Sequence, residues 1–143
     1  MDETDPAKMY AELIDRIDQA VREDGRYSPE AFEFLQQGLE LASRMRHGEK
    51  AGSEPRHVSG QELSHALRLL AIQRWGPLTL EVLRRWGIRR TRDFGEMVYL
   101  MIDLDVFGKQ DNDDISDFDN VYEFDEAFGE YRYGAEDAGG LEG

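Results

Sequence analysis

Apolar residues recur along this chain at intervals of three and four, the period of a helix with one buried face. Tyr10, Leu13, Ile14, Ile17 and Val21 keep that spacing and predict a first helix over residues 7–24, with Gly25 where a left-handed cap residue belongs. Ser28 and Pro29 suit an N-cap and a first helical position, and Phe32, Leu35, Leu39 and Ala42 carry the stripe of a second helix over 28–46, stopped by Gly48. Residues 47–56 are polar and read as a loop. Ser59-Gly60-Gln61-Glu62 then matches a capping box, flanked by Val58 and Leu63 as a hydrophobic staple, and opens a third helix over 59–75.

Gly76-Pro77 interrupts that helix and starts a fourth over 77–86. Gly87-Ile88 predicts a Schellman ending in which Ile88 folds back on Leu83. Thr91 is the expected N-cap of a fifth helix over 91–107, with Phe94, Met97, Val98, Met101 and Ile102 on its apolar face. Beyond Gly108 the pattern changes. Ile115–Phe118 and Val121–Phe124 alternate as the two arms of a short β-hairpin within 114–124 would. From residue 129 to 143 glycine and acidic residues dominate, and that tail is expected to be disordered. The expected fold is therefore mainly α: a compact single domain over 1–128, a bundle of about five helices whose C-terminal half is helix-turn-helix-like.

Charge changes this picture more than composition does. The 143 residues carry a net charge of −14. Between Arg44 and Arg92, however, eleven basic residues face four acidic ones, while the rest of the chain holds six basic and twenty-seven acidic. Arg84, Arg85, Arg89, Arg90 and Arg92 are the densest part of that basic middle, with Trp86 among them and His57 upstream. Guanidinium forks suit carboxylates and phosphates. These seven residues are the candidate interaction surface. A bland reading competes with it: the arginines pair with the chain's own abundant acids, and the large aromatics fill the core.

Other chemistry is thinly represented. The chain has no cysteine, so disulfides, thiolate catalysis and cysteine-ligated zinc are excluded together. His47, His57 and His65 lack the i, i+4 spacing of a helical metal site. Asp111–Asp119 resembles a calcium loop in composition, but Ser116 stands where the turn needs glycine and Tyr122 where a bidentate glutamate belongs. No cofactor and no catalytic group is assigned. The acidic start and the lack of a long apolar run suggest a cytoplasmic protein away from membranes. Oligomeric state is not legible.

Arg56-His57-Val58-Ser59-Gly60-Gln61-Glu62-Leu63, with Trp86-Gly87-Ile88-Arg89-Arg90-Thr91-Arg92-Asp93-Phe94-Gly95-Glu96, resembles the Minf-type family of short bacterial proteins. The similarity runs from about Arg26 to Phe128, including Tyr122–Phe128. The resemblance implies a compact domain and brings no activity, cofactor or catalytic residue. The functional expectation is a non-catalytic interaction or regulatory protein whose arginine face meets an acidic protein partner, with the acidic tail competing for that face. The alternative is nucleic-acid binding, to RNA or a nucleoprotein, through the helix-turn-helix-like element of residues 78–107. The fifth helix would then be the reading helix, although Asp93, Glu96, Asp103 and Asp105 would repel phosphates. An unrecognised enzyme comes third.

Overall fold

Most of the local start and stop signals have a physical counterpart in the computed structural model, which describes residues 5–48, 58–108 and 114–129. Asp5 caps α1 (Pro6–Asp24) by accepting from the Ala7 N–H. Gly25 ends it in the left-handed region, φ +76°, with its N–H on the Val21 carbonyl. Ser28 is the N-cap of α2 (Pro29–His47). The capping box before α3 (Gly60–Trp75) is complete, the Glu62 N–H donating to Ser59 Oγ and the Ser59 N–H to Glu62 Oε1. A 3-10 turn, Gly76–Leu78, leads into α4 (Thr79–Arg85), and α5 runs from Thr91 to Asp103. The chain is a bundle of five helices, with no strand among the described residues.

The core forms where these helices bring their stripes together. Phe34, Leu35, Leu67, Leu83, Ile88, Phe94, Met97 and Phe128 are almost fully buried. Burying each such side chain contributes about 1.5–3 kcal/mol. α2 and α3 approach closely because residue 38 is glycine: a β-carbon there would run into the Leu67 side chain. α1 is less engaged. Of its stripe only Val21 is buried, while Tyr10 and Ile14 are 67% and 44% exposed. α2 commits its apolar face to α3, so the N-terminal half of α1 lacks a covering neighbour among the described residues.

Three expectations are corrected. The fifth helix stops at Asp103 rather than 107, because Asp105 takes the left-handed region at φ +61° and the Val106 N–H closes on the Met101 carbonyl. Thr91 is not the N-cap. Arg90 holds that place, and the Thr91 hydroxyl donates instead to the Phe118 carbonyl at 2.6 Å while accepting from the Val121 N–H. The hairpin over 114–124 is absent. Ile115–Phe118 coils into a 3-10 helix started by Asp114, whose carboxylate accepts from the Ser116 N–H.

That coil serves packing. Phe118 lies on Gly95 of α5, where a β-carbon would run into its ring, and beside Gly60 of α3, where a β-carbon would press tightly on Asp117 and Phe118. The chain continues through Tyr122, whose phenol donates to the Ser64 carbonyl at 2.7 Å, to a π-helical turn at Asp125–Gly129. Phe118, Phe124, Ala127 and Phe128 all belong to the core. Residues 114–129 thus belong to the folded body. The expected disordered tail, beyond residue 129, lies outside the described residues, as does His57.

Candidate interaction surface

The arginines sit on a turn held from three sides. At the end of α4 the Gly87 N–H donates to the Arg84 carbonyl and the Ile88 N–H to the Leu83 carbonyl, 3.0 and 2.9 Å, with Leu83 and Ile88 both fully buried. This is the expected Schellman ending. Gly87, at φ +90°, lies so close to the turn between α1 and α2 that a β-carbon would collide with the Arg26 carbonyl oxygen. The Ser28 N–H closes the contact on the Trp86 carbonyl at 3.1 Å. The two inter-helix turns are therefore docked on each other.

The third side is Asp93, which is 9% exposed. One carboxylate oxygen accepts from the Arg89 and Arg90 backbone N–H groups at 2.8 and 3.2 Å, and the other accepts the Tyr27 hydroxyl at 2.7 Å. The first two bonds satisfy donors left free at the start of α5, where the helix dipole also favours a negative charge. Burial, followed by the hydrogen bond to Asp93 and its negative charge, pushes the Tyr27 phenol well above its ordinary range. Tyr27 and Asp93 are 66 positions apart, so sequence spacing gave no signal of the pair.

This scaffold sorts the candidate residues. Arg85, Arg89 and Arg90 are exposed, and their side chains form no ion pair among the described residues. Arg84 is exposed and faces Asp125 at 3.7 Å. Arg92 is different: it is bound to Asp119 at 3.0 Å and Glu96 at 3.2 Å, and these bonds raise its pKa. It ties the C-terminal segment to α5. Trp86 is half-buried, edge-on to Trp75 at 5.2 Å and tilted on Phe34 at 5.8 Å, so its ring packs within an aromatic cluster.

Sequence reasoning missed Glu123 and Asp125. With Leu80, Arg84, Arg89 and Phe124 they line a pocket of about 220 Å³ between α4, the α4–α5 turn and the C-terminal segment. The alternation from Tyr122 to Phe124 held the signal, since it places Glu123 outward between two residues packed against the core. The same period also suits a strand, which is why it does not by itself single Glu123 out.

α5 does not stand clear of the body. From Thr91 to Ile102 every residue is buried or half-buried. Among the described residues no group of three or more His, Asp or Glu side chains is arranged to hold a metal, and no helix is long and apolar enough to cross a membrane. The calcium-like run falls partly outside the described residues, and within them Asp114 acts as a cap. Comparison of the chain with family models, curated proteins and solved structures finds no match.

Proposed function

We propose that this protein is a non-catalytic interaction protein that docks an acidic protein partner on the arginine face formed by Arg84, Arg85, Arg89 and Arg90. One observation carries the reading. In a chain with 31 acidic residues against 17 basic ones, Arg85, Arg89 and Arg90 remain exposed and unpaired among the described residues, on a turn held by buried and part-buried hydrogen bonds to Asp93. Side chains on a rigid support lose less conformational freedom on binding. Electrostatic complementarity of this kind sets partner choice and association rate.

The embedding of α5 favours a protein partner over a nucleic acid. A reading helix must present a row of side chains to a groove, and α5 has no exposed residue between Thr91 and Ile102. Trp86, packed on Trp75 and Phe34, is likewise not presented for stacking on a base. Kinship with the Minf-type family remains part of the proposal, on the motifs quoted above, and adds no activity to it.

The test is affinity capture from native lysate with the wild type and with an Arg85→Glu/Arg89→Glu/Arg90→Glu variant, each with and without nuclease. The reading expects partners that survive nuclease, elute with moderate salt and are lost in the variant at unchanged thermal midpoint. Recovery of nucleic acid, with the captured proteins lost on nuclease treatment, would overturn it in favour of nucleic-acid binding.

A further inference from the structure

The pocket beside the arginine face has two walls of opposite sign. Arg84 and Arg89, from α4 and the α4–α5 turn, and Glu123 and Asp125, from the C-terminal segment, line it together with the apolar Leu80 and Phe124. These last two are buried, 3% and 6% exposed, so the apolar part of the lining is fixed. The acids are held differently. Their backbone is anchored by Phe124 and Phe128 in the core, but their side chains are exposed, and Asp125 meets Arg84 only at 3.7 Å with 86% of its side chain in solvent. A contact so long and wet contributes little to stability. Its main effect is to place a carboxylate where an external one would bind.

We propose that this pocket receives a glutamate side chain of an acidic peptide segment, and that Asp125 and Glu123 are its built-in competitors. The proposal rests on the arginine-face reading and adds to it the ligand chemistry and the means by which the site is tuned. The volume of about 220 Å³ corresponds to about seven waters, enough for one carboxylate with its methylenes and residual solvent. Leu80 and Phe124 would cover the methylenes, and the two guanidinium groups would hold the carboxylate, displacing Asp125. Two arginines offset by two acids leave the free pocket electrically balanced. The competitor is therefore part of the folded chain and not only a matter of the acidic tail.

The experiment measures binding of a peptide of six glutamates to the full chain by calorimetry at low salt. The proteins are the wild type, Glu123→Gln/Asp125→Asn, and Glu33→Gln/Glu40→Gln, in which the same charge is removed from exposed positions of α2. The pocket variant is expected to bind about three- to ten-fold more tightly than the wild type, the range set by one weak exposed pair, Arg84–Asp125, and the removal of a second nearby negative charge. The α2 variant should change little, and adding Arg84→Gln to the pocket variant should abolish the gain. Equal tightening in both neutralised variants, no tightening in the pocket variant, or no binding by any of the proteins would each overturn the proposal. If the peptide binds through Arg85 and Arg90 but is indifferent to residues 123 and 125, the pocket inference falls and the arginine-face reading stands. If the triple arginine reversal leaves peptide binding intact, the reading itself falls.

Discussion

The Tyr27 hydroxyl donates to the Asp93 carboxylate over 2.7 Å, and through that bond the turn between α1 and α2 fixes the start of α5. The same carboxylate gathers the Arg89 and Arg90 N–H groups. One buried acid thus determines where two exposed arginines leave the backbone.

Asp93→Ala should accordingly destabilise the fold by about 2–4 kcal/mol, because it strands a buried hydroxyl and two backbone donors at once. Tyr27→Phe removes one of those bonds and should cost about 1.5–3 kcal/mol, as for a hydrogen bond to a charged group. Urea unfolding of the two single variants and the double variant measures their coupling. Effects that simply add would show that the pair does not act as a unit.

The Tyr27 pair has an alkaline signature. A phenol whose folded-state pKa is raised contributes stability that is fully present below the unfolded value, near 10, and lost as pH rises toward the folded one. Tyr122, its phenol buried against Ser64, is raised in the same direction, chiefly by burial. Absorbance titration of the folded protein should show a class of tyrosines that ionises only with unfolding, and Tyr27→Phe should reduce that class.

The capping box has an acid signature. Burial pushes the Glu62 carboxyl upward, but the Ser59 N–H and hydroxyl and the Arg46 guanidinium outweigh it, so its pKa lies below the ordinary 4.5. Its contribution is present above that value and is lost as pH falls through the lower folded one. Ser59→Ala should cost about 1 kcal/mol at neutral pH. The stability gap between the wild type and Glu62→Ala should narrow below about pH 4.

Gly87→Ala tests the docked turns. The residue sits at φ +90° against the Arg26 carbonyl, so a methyl group there adds both backbone strain and a collision. A loss of about 2 kcal/mol or more is expected in chemical unfolding. Gly48→Ala, also at positive φ but with nothing within 4 Å of the added carbon among the described residues, isolates the strain and should cost less.

Position along α1 supplies a contrast within one stripe. Val21→Ala should cost about 1–3 kcal/mol, since the side chain is 2% exposed. Tyr10→Ser should stay within about 0.5 kcal/mol, since the ring is 67% exposed. Thermal midpoints of the two variants decide between this pattern and a stripe that is covered along its full length.

What could be read from the sequence was local. Gly25, the Ser59–Glu62 box and the Gly87-Ile88 ending are decided within a few residues of themselves, and each occurs where its spacing places it. Features decided by distant partners were not legible. The Thr91 hydroxyl is taken by a carbonyl 27 positions away, and Asp93 by a phenol 66 positions away. Asp105 ends α5 in a conformation that its β-carbon makes uncommon, so the sequence carries no stop signal there. At the candidate surface the arginines were legible as a cluster. Their division into a structural Arg92, a pocket pair Arg84 and Arg89, and Arg85 and Arg90, unpaired among the described residues, depended on acids brought in by the C-terminal segment.

The docking of Gly87 on Arg26 carries a consequence for dissection. Neither a peptide spanning α4 and α5 nor one ending after α2 contains both halves of the clamp, and the carboxyl-terminal aromatics are needed besides. The arginine display is therefore an all-or-none product of the whole bundle. Short fragments bearing the same five arginines should carry their charge without their geometry, and make poor competitors for whatever the intact protein holds.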